Sequence, residues 1–237
     1  MKTSPKPWPP SRADLLSYPE IVKVFIAPDY QALGREAARL VTEALSSKPD
    51  SVLGLPTGRT PLGMYCDVDL SRVTAFGLDE YIGLPPDDPR SFTAYLQRYI
   101  DKNRLRMPSA GYDEEIVSAG GIDLLIAGIG TNGHIAFNEP GSPFDSRTRV
   151  VELADSTRDL LRSVFESPPL QGITMGIATI LSARRIILLA SGASKASAVA
   201  AALRGPISID CPASALRLHE NVTVIADQEA ASGIDER

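Results

Sequence analysis

Six short apolar segments, separated by longer stretches with helical spacing, constrain the fold of this chain most. The apolar segments are bounded by Gly, Pro or Asp and cover residues 21–27, 52–55, 73–78, 122–127, 186–190 and 222–226. Short continuous apolar runs of this kind are typical of parallel strands that are buried on both faces. Between them, helical patterns cover residues 30–45, 91–99, 156–165, 174–181 and 194–203. The alternation predicts an α/β fold: a single-domain, open, doubly wound, mostly parallel sheet flanked by helices in a Rossmann-like arrangement.

Length and local composition favour one domain with short extensions. The 237 residues, 43% of them apolar, can bury one sizeable core, whereas two full domains would each be small. We expect a flexible Pro-rich N-terminus over residues 1–19, the domain over residues 20–227 and a short polar tail over residues 228–237. Residues 140–155 are polar and rich in turn-forming residues, which predicts a lid over about residues 140–172.

Charge and cysteine usage narrow the possible partners. The formal net charge is −5 with acidic and basic residues interspersed, so the sequence offers no basic surface for a nucleic acid. No apolar run approaches membrane-spanning length, and the N-terminal residues lack the apolar core of a signal peptide. Cys66 and Cys211 have neither metal-binding nor redox spacing and are compatible with a reducing compartment. We therefore expect a cytoplasmic protein that binds a small molecule, with no nucleic-acid or membrane partner.

The loop after the segment at 52–55 is the first candidate ligand site, because ligands of open α/β sheets bind beyond the carboxyl ends of the strands. This candidate phosphate loop consists of Thr57, Gly58, Arg59 and Thr60. Free amides, two hydroxyls and a helix starting near Pro61 suit an anion, and Gly58 lets the backbone approach closely. An ordinary strand-to-helix turn would have a similar composition. After the segment at 186–190, Lys195 falls in a first helical turn, where it either binds a phosphate or is simply solvated.

Two further loops carry groups for proton transfer. Asp79 directly follows the segment at 73–78, where partial burial would raise its pKa towards the range useful for a base. A turn-capping role is the alternative, and the adjacent Glu80 would point the other way because successive strand side chains alternate. The stretch GIGTNGHIAFNEPG places His134 five residues before Glu139. A neutral imidazole transfers protons near pH 7, and Glu139 could orient it or share its work.

The same stretch contains a glycine pattern that we reject as a dinucleotide site. Gly128, Gly130 and Gly133 match G-x-G-x-x-G, which requires a long helix opening at the third glycine. Pro140 would end such a helix within about two turns, because proline lacks the amide hydrogen and clashes with the preceding turn. A nicotinamide-binding function is therefore excluded.

Four stretches together resemble the glucosamine-6-phosphate deaminase family, in order and spacing over most of the chain. They are PTGRTPLGMY, FGLDEYIGLP, GIDLLIAGIGTNGHIAFNEPGS and LLASGASKA. GHIAFNEPG together with LDEY is highly specific. The resemblance implies the deaminase/isomerase type of α/β fold and a hydrolytic isomerisation in amino-sugar catabolism. It implies that glucosamine 6-phosphate and water become fructose 6-phosphate and ammonium, without a metal or any other cofactor.

The resemblance also implies roles for individual residues. Asp79 would take the proton from C2 of the sugar and return it at C1, and His134 would open the pyranose ring. Glu139 would pair with that histidine, and Asn132 would complete the ring-opening group. Many members have aspartate at the position of Asn132; asparagine does not ionise and could only orient His134 by hydrogen bonding. The phosphate loop and Lys195 would bind the phosphate.

Departures from the family pattern leave the sugar epimer open. Arg59 stands where the family usually has a small residue, and Ser163 stands where it usually has a substrate-binding arginine, with Arg162 one position away. A galactosamine-6-phosphate deaminase/isomerase is therefore the close alternative. Allosteric members use basic lid residues; Arg149 remains but Val151 replaces another, and the tail is short, so we expect no allosteric activation.

Two alternatives come from other functional classes. A 6-phosphogluconolactonase would share the fold, the phosphate loop and a G-x-x-GH element, but that family lacks the NEPG continuation. A non-catalytic sugar-phosphate sensor would normally carry a helix-turn-helix, for which the short N-terminus leaves no room. Oligomeric state, whether monomer or homo-oligomer, and the physiological direction of the reaction stay open.

Overall fold

The computed structural model describes residues 22–234, apart from the side chains of residues 155, 156 and 160. The predicted Pro-rich N-terminus over residues 1–19 lies outside the described residues. Within them, the strands are β1 (Lys23–Ala27), β2 (Val52–Leu55), β3 (Thr74–Gly77), β4 (Asp79–Tyr81), β5 (Leu105–Arg106), β6 (Leu124–Gly128), β7 (Arg149–Glu152), β8 (Gln171–Thr174), β9 (Ile186–Ala190) and β10 (Val222–Asp227). The α-helices are α1 (Tyr30–Ser47), α2 (Leu62–Asp67), α3 (Phe92–Leu96), α4 (Tyr112–Ser118), α5 (Asp155–Leu161), α6 (Ile177–Leu181), α7 (Ala196–Arg204) and α8 (Gln228–Ala231). Two 3-10 helices span Ala193–Lys195 and Pro212–Leu218.

Seven strands form one parallel sheet in the order β1-β10-β9-β6-β2-β3-β5. Its central strands are buried on both faces, so alternate side chains enter two different cores: Leu125 packs on one face and Leu124 on the other. Helices α1, α2 and α3 cover the face of Leu124, and α4, α6, α7 and α8 cover the face of Leu125. The predicted open, doubly wound α/β architecture is confirmed.

The direction in which the chain crosses the sheet reverses between β2 and β6, which lie side by side in its centre. From β2 the chain moves outward to β3 and β5, whereas from β6 it moves the other way to β9 and β10. Such a switch point opens a crevice at the carboxyl ends of the two strands, which is where doubly wound sheets bind ligands. The phosphate loop follows β2, and the stretch containing His134 follows β6.

All six predicted strands are present, and their ends differ from the predicted ends by at most two residues. Strands β2 and β9 have the predicted bounds. Strand β5 was not predicted, because two residues at a sheet edge are too short for a periodic pattern.

One predicted helix, over residues 174–181, is wrong in its first half. Thr174 is the last residue of β8, where it pairs with both Asp79 and Arg149, and the helix begins only at Ile177. Between them Gly176 passes so close to the carbonyl oxygen of Ser146 that an added Cβ would lie 2.1 Å from it. Pairing between distant strands thus overrides the local helical spacing.

The segment predicted as a lid, residues 140–172, contributes to a second, smaller sheet. Strands β4, β8 and β7 pair antiparallel in that order, so two lid strands extend the strand that begins with Asp79. An aromatic cluster under this sheet includes Tyr81, Phe137 and Phe165. Residues 140–172, for which we keep the name lid, are therefore paired with the same strand that carries the candidate base.

The segment predicted as a polar tail begins with helix α8. Asp227 caps this helix by accepting the backbone N–H of Ala230, and both Ala230 and Ala231 are buried.

Across residues 22–234, none of the helices has the length and apolar character needed to cross a membrane.

Candidate active site

The loops after β2, β3, β6 and β9 meet in a cleft of about 540 Å³ at the switch point of the sheet. Most of the predicted site residues line it: Thr57, Gly58, Arg59, Thr60, Asp79, His134 and Lys195. A larger cavity, about 900 Å³, lies between α4 and the lid and contains none of the predicted site residues. The chemistry of the residues, and not cavity size, therefore identifies the candidate site.

The phosphate loop presents backbone and side-chain donors to one end of the cleft. Gly58 has a φ of +98°, a conformation that favours glycine, and a Cβ there would meet no atom within 4 Å. Among the described residues, none accepts a hydrogen bond from the backbone amides of residues 57–60. Helix α2 begins at Leu62 and has only six residues. The loop amides and the Arg59 side chain, more than a helix dipole, make this end of the cleft suitable for an anion.

Lys195 faces the same end of the cleft from the loop after β9. Burial lowers the pKa of its ammonium group, and none of the carboxylates whose side chains the structure describes lines the cleft beside it except Asp79. The preceding turn is fixed by Asp227, which accepts hydrogen bonds from the Ser191 hydroxyl and the Gly192 amide. A positive charge held in a rigid turn suits a phosphate.

Asp79 is the first residue of β4 and is 8% exposed at the floor of the cleft. Burial, and secondarily the nearby charge of Glu80, raise the pKa of Asp79 from 3.8 to about 8. A carboxylate with a pKa in this range accepts a proton from carbon far better than an ordinary solvent-exposed one, because its basicity is matched to neutral pH.

Glu80 does not line the cleft. Its carboxylate accepts hydrogen bonds from the backbone amides of Phe92 and Thr93 at 3.0 and 2.8 Å, and from the Thr93 hydroxyl at 2.6 Å. It thereby holds the start of helix α3. The two adjacent carboxylates point to different environments, and only Asp79 enters the cleft.

The loop after β6 packs the His134 ring against its own backbone. An added Cβ at Gly130 would lie 2.3 Å from the imidazole, so only glycine permits this position. Gly133 and Ala136 adopt φ values of +83° and +51°, and Ala136 lies in the short turn that joins Ile135 to Asn138. A β-carbon at φ above zero is strained, which indicates a turn shaped by its tertiary contacts.

Glu139 and Asn132 lie behind His134. Nδ1 of His134 is 3.3 Å from Oε2 of Glu139, but it forms no aligned hydrogen bond within the described residues. The side-chain amide of Asn132 donates to the same Oε2 at 2.7 Å, and its Oδ1 accepts the backbone N–H of His134 at 3.2 Å. Asparagine thus links the imidazole loop to the carboxylate, a donor role that an ionised aspartate could not fill.

Glu139 is held as a carboxylate despite its burial. Burial acts to raise its pKa, but the His134 imidazole beside it, together with hydrogen bonds from Thr157 and Asn132, outweighs burial and lowers the pKa of Glu139 to about 2. An ionised Glu139 places a negative charge 3.3 Å from Nδ1 of the imidazole. The pair can therefore pass a proton through His134 while Glu139 stays ionised.

Thr157 contacts the site, although the sequence did not predict it as a site residue. It lies on α5 in the lid, lines the cleft, and donates its hydroxyl to Oε1 of Glu139 at 2.7 Å. A threonine eighteen positions after Glu139 has no local signal, because only the folding of the lid brings it back.

Other residues near the site have structural roles. Arg149 donates to Oδ1 of the fully buried Asn138 and to the Ser142 hydroxyl, which ties the NEPG turn to β7. Arg162 and Ser163 do not line the cleft. In residues 22–234, no group of three or more His, Cys, Asp or Glu side chains is arranged to hold a metal ion.

Comparison with known proteins gives consistent results. The family model described as glucosamine-6-phosphate isomerases/6-phosphogluconolactonase matches residues 29–225. A glucosamine-6-phosphate deaminase of Rhodopirellula baltica is 42% identical over 92% of this chain and 98% of its own length. The glucosamine-6-phosphate deaminase of Halothermothrix orenii is 44% identical over 89% of this chain and 99% of its own length.

Solved structures separate into two groups by identity. A monomeric glucosamine-6-phosphate deaminase superposes with a TM-score of 0.84 at 42% identity, covering 89% of this chain and 99% of that one. The 6-phosphogluconolactonase of Trypanosoma brucei superposes with a TM-score of 0.73 at 19% identity, covering 90% and 98%. The second likeness concerns the fold alone.

Proposed function

This chain belongs to the family of glucosamine-6-phosphate isomerases and 6-phosphogluconolactonases, and we infer that within it the chain is a glucosamine-6-phosphate deaminase. The enzyme converts glucosamine 6-phosphate and water to fructose 6-phosphate and ammonium in amino-sugar metabolism. Identities of 42–44% to deaminases over about nine tenths of the chain, against 19% to the lactonase, support this choice. The observation that carries it is one cleft lined by the buried Asp79, by His134 with Glu139 behind it, and by an anion-binding loop.

The phosphate of the substrate binds at the end of the cleft formed by the phosphate loop and Lys195. Backbone amides of the loop donate to its oxygens, and the hydroxyls of Thr57 and Thr60 add further donors. Arg59 and Lys195 supply positive charge. Anchoring the phosphate fixes the distance from the sugar carbons to Asp79, which converts much of the binding energy into orientation.

Ring opening is assigned to His134. Its imidazole accepts the proton of the anomeric hydroxyl and a proton is delivered to the ring oxygen, which breaks the C1–O5 bond and yields the open-chain aldehyde. Glu139 holds the imidazole and balances its charge while it is protonated. Asn132 and Thr157 keep that carboxylate in place.

Isomerisation and loss of the amine are assigned to Asp79. The carboxylate takes the proton from C2 while O1 accepts a proton from solvent, which gives an enolamine across C1 and C2. The same proton is returned from Asp79 to C1 as the nitrogen lone pair forms an iminium at C2. Water adds to C2, one of its protons moves to the nitrogen and the other to solvent, and ammonia leaves with the C–N bonding pair to give the 2-ketose phosphate.

The compartment follows from the substrate. Sugar phosphates are dianionic near neutral pH and do not diffuse through a lipid bilayer, so we place the reaction in the cytoplasm, where they are made. Cys66 and Cys211 are both free thiols, which is compatible with that compartment.

The direct test is ammonium release from glucosamine 6-phosphate and galactosamine 6-phosphate, measured side by side with a chelator present and no cofactor added. We expect release from the glucosamine substrate. Preference for the galactosamine substrate would overturn the epimer assignment and indicate that Arg59, with Ser163 at the usual arginine position, reshapes the pocket. No release from either sugar would contradict the deaminase function, and hydrolysis of 6-phosphogluconolactone would then replace it.

A further inference from the structure

Three tyrosine hydroxyls converge on the outer side of the phosphate loop. Tyr30 donates to the carbonyl oxygen of Arg59 at 2.7 Å, and Tyr95 donates to that of Gly58 at 2.6 Å. Tyr65 donates to the carbonyl oxygen of Pro56, also at 2.6 Å. The three tyrosines come from three different helices, α1, α2 and α3.

The direction of these hydrogen bonds fixes the direction of the loop amides. In a planar trans peptide the carbonyl of one residue and the N–H of the next point in opposite directions. A carbonyl held outward by a tyrosine therefore turns the following amide towards the cleft. The amides oriented in this way are those of Thr57, Arg59 and Thr60.

These amides lack protein acceptors. Among residues 22–234 none of the three amides donates a hydrogen bond, although their loop lines the cleft. Successive unpaired amides around a concave turn form an anion-binding surface, because their partial positive charges add. If these carbonyls pointed into the cleft instead, they would place partial negative charge near the anion.

We propose that Tyr30, Tyr65 and Tyr95 are positioning residues that hold the phosphate loop in its anion-accepting conformation. This inference rests on the proposed function for the identity of the anion, a sugar phosphate. The tyrosines act through the loop and touch no reacting atom. Their loss is therefore expected to weaken phosphate binding and to leave the proton-transfer steps intact.

The rings are packed in a way that keeps the hydroxyls in place. Tyr65 contacts Tyr95 edge to face with ring centroids 6.2 Å apart, and it stacks on Tyr99 at 4.7 Å. The Arg98 guanidinium lies over the Tyr95 ring, 4.4 Å from its centroid. Burial raises the pKa of both Tyr65 and Tyr95, so both remain protonated donors at physiological pH.

Tyr95 is the best position for a test, and Tyr99 offers a matched control. Helix α3, which carries Tyr95, is held separately at its start by Glu80, so Tyr95→Phe preserves the helix and the ring while removing one hydroxyl. Tyr99 belongs to the same aromatic cluster, but its hydroxyl forms no hydrogen bond with the described part of the chain. Tyr99→Phe therefore removes a hydroxyl without touching the loop.

The experiment compares wild type, Tyr30→Phe, Tyr95→Phe, the double variant and Tyr99→Phe. Calorimetry gives the Kd for inorganic phosphate, steady-state kinetics give KM and kcat for glucosamine 6-phosphate, and thermal melts give Tm. Losing one hydrogen bond is expected to raise both Kd and KM about three- to tenfold in each single variant, and by more in the double variant. The kcat should stay within about twofold of wild type, and Tyr99→Phe should match wild type throughout.

Two results would overturn the inference. Wild-type phosphate affinity in Tyr30→Phe and Tyr95→Phe would show that the hydroxyls do not position the loop. Equal weakening in Tyr99→Phe would assign the effect to ring packing. The phosphate titration needs no turnover, so it tests the tyrosines even if the wild-type protein released no ammonium and the proposed function failed.

Discussion

At the scale of single residues, two adjacent carboxylates acquire different roles from their surroundings. Asp79 is buried in the cleft without a hydrogen-bond donor among the described residues, and its pKa rises to about 8. Glu80 accepts several hydrogen bonds at the start of α3. A carboxylate left without donors has a raised pKa, which suits a base, whereas one surrounded by donors serves as a structural cap.

Replacing Asp79 with Asn tests the assignment of the base. Asparagine keeps the shape but cannot accept the C2 proton, so we expect kcat to fall roughly 10²- to 10⁴-fold, the usual scale for a positioned base. The Kd for inorganic phosphate should stay near the wild-type value, because the phosphate loop is untouched. Steady-state turnover and phosphate calorimetry measure the two effects, and retained turnover would remove Asp79 from this role.

The same substitution has an expected effect on stability that depends on pH. Between about pH 4 and 8, Asp79 is ionised in the unfolded chain and protonated in the folded one. The folded state then binds the extra proton, so the free energy of unfolding of the wild type falls as pH rises, by up to about 1.4 kcal/mol per pH unit.

Asparagine removes this proton dependence. The Tm of Asp79→Asn relative to wild type should therefore rise from pH 5 to pH 8 and level off above pH 8. Thermal melts of both proteins across this range provide the measurement. A constant Tm difference would mean that the pKa of Asp79 is not raised in the folded protein.

His134→Gln tests ring opening separately from isomerisation. Glutamine cannot shuttle a proton, so turnover of the cyclic sugar should fall by about 10²-fold or more. Turnover of an open-chain analogue of the substrate should fall much less, because the analogue bypasses the step assigned to His134. Comparing kcat/KM for the two compounds measures this, and equal losses would give His134 a different role.

At the scale of elements, the lid contributes directly to the catalytic group. Helix α5 supplies Thr157, whose hydroxyl donates to Oε1 of Glu139, while the loop after β6 supplies Asn132, whose side-chain amide donates to Oε2. Each carboxylate oxygen is thus held from a different element. The position of α5 is thereby coupled to the orientation of Glu139 and, through it, His134.

Thr157→Val should test this coupling. Removing a hydrogen bond to a charged group is expected to lower kcat about ten- to hundredfold and to leave KM nearly unchanged, since the phosphate contacts remain. Thr157→Ser keeps the hydroxyl and serves as the control, so it should restore most of the activity. Wild-type kcat in Thr157→Val, or an equal loss in Thr157→Ser, would argue against the coupling.

At the scale of the whole molecule, the packing of the lid bears on regulation. Arg149, which the family resemblance places among the basic lid residues of allosteric members, donates to Asn138 and Ser142 of its own chain. Burial also lowers the pKa of its guanidinium. Its side chain is engaged in structural contacts, and Val151 offers no charge at the second position.

We therefore predict no allosteric activation. Velocity plotted against glucosamine 6-phosphate should be hyperbolic, and N-acetylglucosamine 6-phosphate should not change its shape. Steady-state curves with and without the N-acetylated sugar measure this. Sigmoidal kinetics relieved by that compound would contradict the prediction.

The sequence by itself determined the α/β class, the six strands and the loops that carry the site, because buried parallel strands are continuous apolar runs and ligand loops follow their carboxyl ends. It also pointed to Asp79, His134 and Glu139, through local motifs. Only the tertiary structure decided the small antiparallel sheet, the start of the helix at Ile177 instead of Thr174, and the contact of Thr157 with Glu139. The reason is physical: these features depend on hydrogen bonds between residues far apart in the chain, and no local pattern records such pairing. The same holds for the three tyrosines, whose positions in the sequence carry no sign that their hydroxyls meet at one loop.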